Sequence, residues 1–313
     1  MEEFKIDPAF LLRFENQLNP AFPEKSSIPV KILGYGEISS TFKIEGIDNY
    51  ACKRMPPFSS STDIEAYCNC INEYCEHLRN AGVKVLPYKL ISFQNKDAEW
   101  IVYIVQPLLK LELIGNTLFH NLRDDELKVV YEKLLKNLQS LYVYNSLHEE
   151  QIQLGLDGQI SNWYFPEDNS MPLYFDISTP LYRKNNKEQL NVEVFLKSMP
   201  SLIALAAKYF FLQDVLDRYY DLRMVIIDIL GNLYKEGLQE KIPNLLSLSN
   251  DFFLSLPSNF QVLPLVKKEV HDYYKEDKFI WGFLLFFRKV DRFISTKILR
   301  KQYNFILPGK IKR

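Results

Sequence analysis

Gly155-Leu156-Asp157-Gly158-Gln159-Ile160-Ser161-Asn162-Trp163, followed by Leu173-Tyr174-Phe175-Asp176-Ile177-Ser178, is the stretch whose reading decides the fold. Asn162 stands five residues after Asp157, and Asp176 fourteen residues after Asn162. Each has apolar neighbours that read as short strands, so three oxygen-bearing side chains are expected to point into one cleft. Mg²⁺ takes oxygen ligands in near-octahedral geometry, usually one or two carboxylates completed by phosphate oxygens and water. Asn162 and Asp176 can supply the protein oxygens. Asp157 is then free to orient or deprotonate a hydroxyl nucleophile.

The spacing resembles the catalytic and metal-binding loops of the protein-kinase-like superfamily, in which an Asp precedes an Asn by five and the metal-binding Asp opens the next loop. Two departures are plain. Gly155-Leu156 stands where a protein kinase has His-Arg and an aminoglycoside phosphotransferase has His-Gly, and Ile177-Ser178 replaces Phe-Gly after the metal Asp.

Working towards the N-terminus, Val30 to Leu33 reads as a strand running into Gly34-Tyr35-Gly36, and Ser39-Ser40-Thr41-Phe42 starts the return strand. Glycines in such a turn let backbone N–H groups approach anionic oxygens without a Cβ in the way. Ser39 stands at the third glycine position of the kinase loop, a substitution that looser choline-kinase-like and aminoglycoside-phosphotransferase-like loops allow. Tyr50-Ala51-Cys52-Lys53 places Ala51 and Lys53 on one strand face. An Ala-x-Lys strand at this place looks like the third kinase strand, which makes Lys53 the residue that grips nucleotide phosphates.

Thr62-x-x-Glu65 reads as a capping box for a helix from Asp63 to about Ala81. By the resemblance, a glutamate of this helix pairs with Lys53. Glu73 is the first choice, with Glu65 and Glu76 behind it. Leu86 to Phe93 and Trp100 to Val105 complete five strands, and Gln106-Pro107-Leu108 falls where an adenine-binding hinge belongs. Cys68, Cys70, Cys75 and His77 do not read as a zinc site, because at roughly 100° per residue one continuous helix cannot converge all four.

Asp7-Pro8 starts a short helix carrying Leu11, Phe14 and Leu18 on one side. Asp124 to about Tyr144 reads as a long helix, and residues 188 to 300 as almost entirely helical. Within that part the aromatic run Tyr209-Phe210-Phe211 reads as core. The densest apolar run, Phe279 to Phe287, ends at Arg288-Lys289 and is too short to cross a bilayer; the expectation is a buried helix. The 38 basic and 39 acidic residues of the 313-residue chain nearly cancel, which argues against non-specific nucleic-acid binding. Only the tail Lys310-Ile311-Lys312-Arg313 stands out as basic. Four cysteines without a secretory leader imply a reducing, cytoplasmic setting.

The fold expected is α+β and bilobal: an N-terminal helical extension (1–27), an N-lobe of five antiparallel strands with one helix (28–106), and a mainly helical C-lobe with the catalytic and metal-binding loops (107–313). The resemblance implies a phosphotransferase that uses ATP with Mg²⁺ or Mn²⁺ on a small-molecule hydroxyl, closest to the aminoglycoside phosphotransferase or choline kinase branch, since no Ala-Pro-Glu follows Asp176. Asp157 is its base, Asn162 and Asp176 hold metal, and Gly34, Gly36, Ser39, Ser40, Lys53, Glu73, Gln106 and Leu108 contact nucleotide. The alternatives are a pseudokinase-like binding module, and a protein kinase or nucleotidyl transferase on the same fold.

Overall fold

In the computed structural model, residues 4–20, 22–36, 39–148, 151–192, 212–257, 260, 262–300 and 306 are described. The Tyr209-Phe210-Phe211 run and the Lys310–Arg313 tail lie outside them.

Five strands, β1 (Val30–Tyr35), β2 (Ser40–Ile44), β3 (Tyr50–Arg54), β4 (Lys89–Gln94) and β5 (Trp100–Pro107), pair antiparallel in the order β1-β2-β3-β5-β4. The β1–β2 register slips between Ile32 and Gly34, so a bulge sits where the glycine turn begins. Alternation along each strand gives the sheet two apolar faces, and each is covered.

Helix α1 (Pro8–Gln17), capped by the Asp7 side chain, covers the outer face with Leu11 and Phe14, both fully buried against Phe42, Ile44, Cys52 and Tyr103. Burial of each such side chain contributes about 1.5–3 kcal/mol. On the same helix Glu15 accepts a two-pronged pair from Arg54, at 2.8 and 2.7 Å, and a bond from the Tyr103 hydroxyl at 2.6 Å. Burial opposes the Glu15 charge, yet Arg54 and these hydrogen bonds outweigh it and hold the carboxyl below its ordinary value.

Helix α2 (Ser61–Asn80) covers the inner face. It starts two residues earlier than Thr62-x-x-Glu65 indicates, because Ser60 accepts from the Asp63 amide and is the actual cap. Its buried stripe, Ile64, Tyr67, Ile71, Tyr74, Cys75 and Leu78, runs into the main core, which is shared with the C-terminal part.

That part is largely helical: α3 (Gly115–Asn121), α4 (Asp124–His148), α5 (Leu212–Arg218), α6 (Leu222–Lys235), α7 (Ile242–Ser255) and α8 (Lys267–Phe293). Between α4 and α5 lie short strands, β6 (Ile152–Leu154), β7 (Trp163–Tyr164), β8 (Leu173–Tyr174), β9 (Tyr182–Lys184) and β10 (Lys187–Glu188). The architecture is the α+β, bilobal one expected from the sequence, a five-stranded antiparallel sheet followed by a mainly helical part.

One expectation fails. The Phe279–Phe287 run is helical but not buried: Phe279 is 72% exposed, Phe283 46% and Phe286 60%. Helix α8 packs on α6 through Tyr273 and turns Arg288 inward, while Phe279, Phe283 and Phe286 stay on an exposed side. A run that is apolar all round gives no phase by which the covered side can be told from the bare one.

Candidate active site

The β7–β8 hairpin brings Asn162 and Asp176 together. Trp163 lies opposite Tyr174 in register, both rings fully buried with centroids 5.1 Å apart, so Asn162 just before β7 faces the chain just after β8. The Phe175 amide donates to the Asn162 carbonyl at 3.1 Å, and the Gln106 side chain of β5 donates to the Phe175 carbonyl at 3.0 Å. Asn162 Nδ2 donates to the Asp157 carbonyl at 3.2 Å, which leaves its amide oxygen for another partner. Asp157 Oδ1 in turn accepts from the Gln159 amide at 3.2 Å, a local turn that fixes its carboxylate beside Gly158.

Lys53 reaches this group from the sheet. Its Nζ lies 2.7 Å from Asp176 Oδ1 and donates to Ser178 Oγ at 3.2 Å, while Ser178 Oγ donates to the same carboxylate oxygen at 2.7 Å. Burial opposes the Asp176 charge, but Lys53 and the Ser178 bonds outweigh it and keep the carboxyl below its usual range. Asp157 behaves oppositely. Burial and then repulsion from Asp176 push it up to about 6. Two carboxyls with opposite shifts, one neutralised by a cation and one left to find a proton, are the arrangement that acid–base chemistry uses.

The structure does not bring Glu73 to Lys53. Glu73 Oε2 accepts from the Tyr182 hydroxyl at 2.8 Å and Oε1 pairs with Lys184, both on β9. Glu65 and Glu76 are exposed. The reason lies in the phase of α2: its inward positions are taken by Tyr67 and Tyr74, and Glu73 lies about 100° round from Tyr74. Tyr67 donates to the Ser178 carbonyl at 2.7 Å and Tyr74 to the Gly155 carbonyl at 2.9 Å, so α2 is tied to the loops by tyrosine hydroxyls.

Those bonds, with the Leu156 amide donating to the Tyr219 carbonyl at 3.0 Å, stand where His-Arg would buttress the loop. Gly155 and Gly158 follow from the same packing. A Cβ on Gly155 would lie 3.1 Å from the Tyr220 ring, and one on Gly158 2.8 Å from Val225 Cγ1 of α6.

At the glycine turn, the Gly36 amide donates to the Ser39 carbonyl at 2.9 Å, and Ser39 Oγ sits where a Gly36 side chain would begin. Gly34 lies in the open, with no atom within 4 Å of its absent Cβ. Ser40 Oγ is buried without a partner. The Leu108 amide is committed to the Asn49 carbonyl at 2.9 Å, so that hinge N–H is not free for an adenine.

Sequence reasoning missed Asp228. It is buried in α6, its Oδ1 accepting from Tyr273 OH at 2.9 Å and Asn232 Nδ2 at 2.8 Å, and burial followed by repulsion from Asp157 raises its carboxyl. The signal was there, since a lone Asp inside Val225-Ile226-Ile227-Asp228-Ile229-Leu230 must enter the core with its helix. Lys235, one helix end further, donates to Gln159 Oε1 at 3.0 Å and was also overlooked.

The fold and this site define an α+β bilobal protein in which a lysine–aspartate pair ties the five-stranded sheet to the loop after β8. The chain belongs to a family of unknown function, DUF6206, whose profile matches residues 15–292. No curated protein matches it by sequence. Among solved structures it is similar to WaaP in complex with acyl carrier protein, at 14% identity and a TM-score of 0.32, over 79% of this chain and 90% of that one.

Proposed function

We propose that the protein is a nucleotide-dependent phosphotransferase that uses ATP and acts on a small-molecule hydroxyl. The observation that carries this reading is the convergence of Lys53, Asp176, Asn162 and Asp157 where the sheet meets the loops of the helical part. Lys53 would hold phosphate oxygens. Asn162 and Asp176 suit Mg²⁺ or Mn²⁺ because the Asn162 amide oxygen is uncommitted to the Asp157 loop and the Asp176 carboxylate is ionised. The ion would neutralise charge on the transferring phosphoryl group. The acceptor hydroxyl gives its proton to Asp157 as its oxygen bonds to phosphorus, and the bond from phosphorus to the nucleoside diphosphate breaks with its electron pair leaving on the diphosphate. The absence of an Ala-Pro-Glu sequence after Asp176 supports a small acceptor over a protein.

The direct Lys53–Asp176 pair and the committed Leu108 amide favour a second reading, a nucleotide-binding module without turnover. Incubation with Mg-ATP and a panel of alcohols, aminoglycosides and sugars, with products identified by mass, tests the first. A nucleotide-dependent thermal shift without any turnover supports the second.

A further inference from the structure

The near-neutral chain hides a strong segregation of charge. Residues 278–313 hold ten of the 38 basic residues and one of the 39 acidic ones, which leaves 28 basic and 38 acidic residues before them. The first half of that basic segment is the exposed part of α8. At about 100° per residue, Phe279, Phe283, Phe286 and Phe293 fall within an arc of about 80°. All four are exposed, and exposed Ile294, Ile298 and Leu299 follow them along the chain. Exposed Lys278 and Lys289 border the aromatic stripe on one side, and exposed Lys297 and Arg300 follow at its end.

Monomeric proteins rarely leave an aromatic face of this extent bare. A phenylalanine stripe bordered by lysines matches an apolar phase whose boundary is negatively charged, the surface that an anionic bilayer presents. No helix among the described residues is long and apolar enough to cross a membrane, so the geometry is that of a helix lying on the surface. We propose that α8 and residues 294–300 dock the protein on an anionic lipid bilayer, with Phe279, Phe283, Phe286 and Phe293 inserted among the acyl chains and Lys278, Lys289, Lys297 and Arg300 at the headgroups.

The test is flotation of the full chain with vesicles of phosphatidylcholine containing about a quarter phosphatidylglycerol, against phosphatidylcholine alone, at low and high salt. Binding is expected to the anionic vesicles, weakened by salt. It should fall roughly tenfold or more in the Phe279→Ser/Phe283→Ser/Phe286→Ser variant and in Lys278→Glu/Lys289→Glu. A Phe286→Trp variant supplies a second readout, a blue-shifted emission relative to wild type on adding anionic vesicles, which does not depend on the triple variant folding. No binding to anionic vesicles, or equal binding by the triple variant, overturns the proposal. So does light scattering showing a wild-type dimer that the triple variant converts to monomer without vesicle binding, because the occupant is then a second copy of the chain.

Discussion

Lys53 Nζ and Asp176 Oδ1 lie 2.7 Å apart, an ion pair that ties the middle strand of the five-stranded sheet to the loop after β8. Neither end is free in solvent, with side chains 12% and 29% exposed. Lys53→Ala leaves Asp176 without its cation. Its depressed carboxyl stabilises the fold above the ordinary Asp range, and that contribution is lost as pH falls through the lowered value. The substitution is therefore expected to cost about 1–3 kcal/mol at pH 7 and clearly less near pH 3. Urea unfolding at the two pH values measures it; an equal loss at both removes the pair from the stability account.

Glu73 couples to β9, not to Lys53. A double-mutant cycle of Glu73→Gln with Tyr182→Phe should be non-additive in stability, whereas Glu73→Gln with Lys53→Ala should add within about 0.5 kcal/mol. Strong coupling in the second cycle would restore the expected helix-glutamate partner.

Asp157 has a carboxyl raised to about 6, so it carries a proton below that pH and is ionised above it. Turnover that relies on it as a base rises with pH through about 6 and then levels. Asp157→Asn should keep nucleotide affinity within a few-fold, read by calorimetry, and lower turnover by roughly 10²-fold or more. Wild-type turnover in that variant places the base elsewhere.

The same shift has a stability consequence of opposite sign to that of Asp176. A raised folded-state value stabilises the fold below the ordinary Asp range, and the benefit disappears as pH climbs through about 6. At neutral pH the ionised, half-buried Asp157 is a burden, and Asp157→Asn should gain on the order of 1 kcal/mol at pH 8 relative to its effect at pH 4. Melting temperatures of both proteins across that range decide it, and a variant destabilised equally throughout contradicts it.

Gly158 is held tight against α6. Gly158→Ala puts a Cβ 2.8 Å from Val225 Cγ1 and is expected to cost about 1–3 kcal/mol. Val225→Ala should relieve part of that cost, so the double variant loses less than the two singles combined. Simple additivity in denaturant unfolding would show that the loop moves away freely.

Much of this protein was legible in residue order alone. Alternation along Phe42, Ile44 and Cys52, the Asp7-Pro8 helix start and the spacing of Asp157, Asn162 and Asp176 are local patterns, set by strand and helix periods and by turn chemistry. They determined the strands, the α1 face with Leu11 and Phe14, and the oxygen-bearing side chains of one cleft. What Lys53 pairs with was decided only in three dimensions. The choice among Glu65, Glu73 and Glu76 depends on the rotation of α2 about its axis, which is set by where Tyr67 and Tyr74 pack. The exposed side of α8 was hidden for a related reason: Phe279 to Phe287 is apolar at every phase, and tertiary packing, such as that of Tyr273 on Asp228 of α6, selects which side is covered. Asp228 itself joins Asp157 through packing between segments about seventy residues apart, a long-range relationship that no local period encodes.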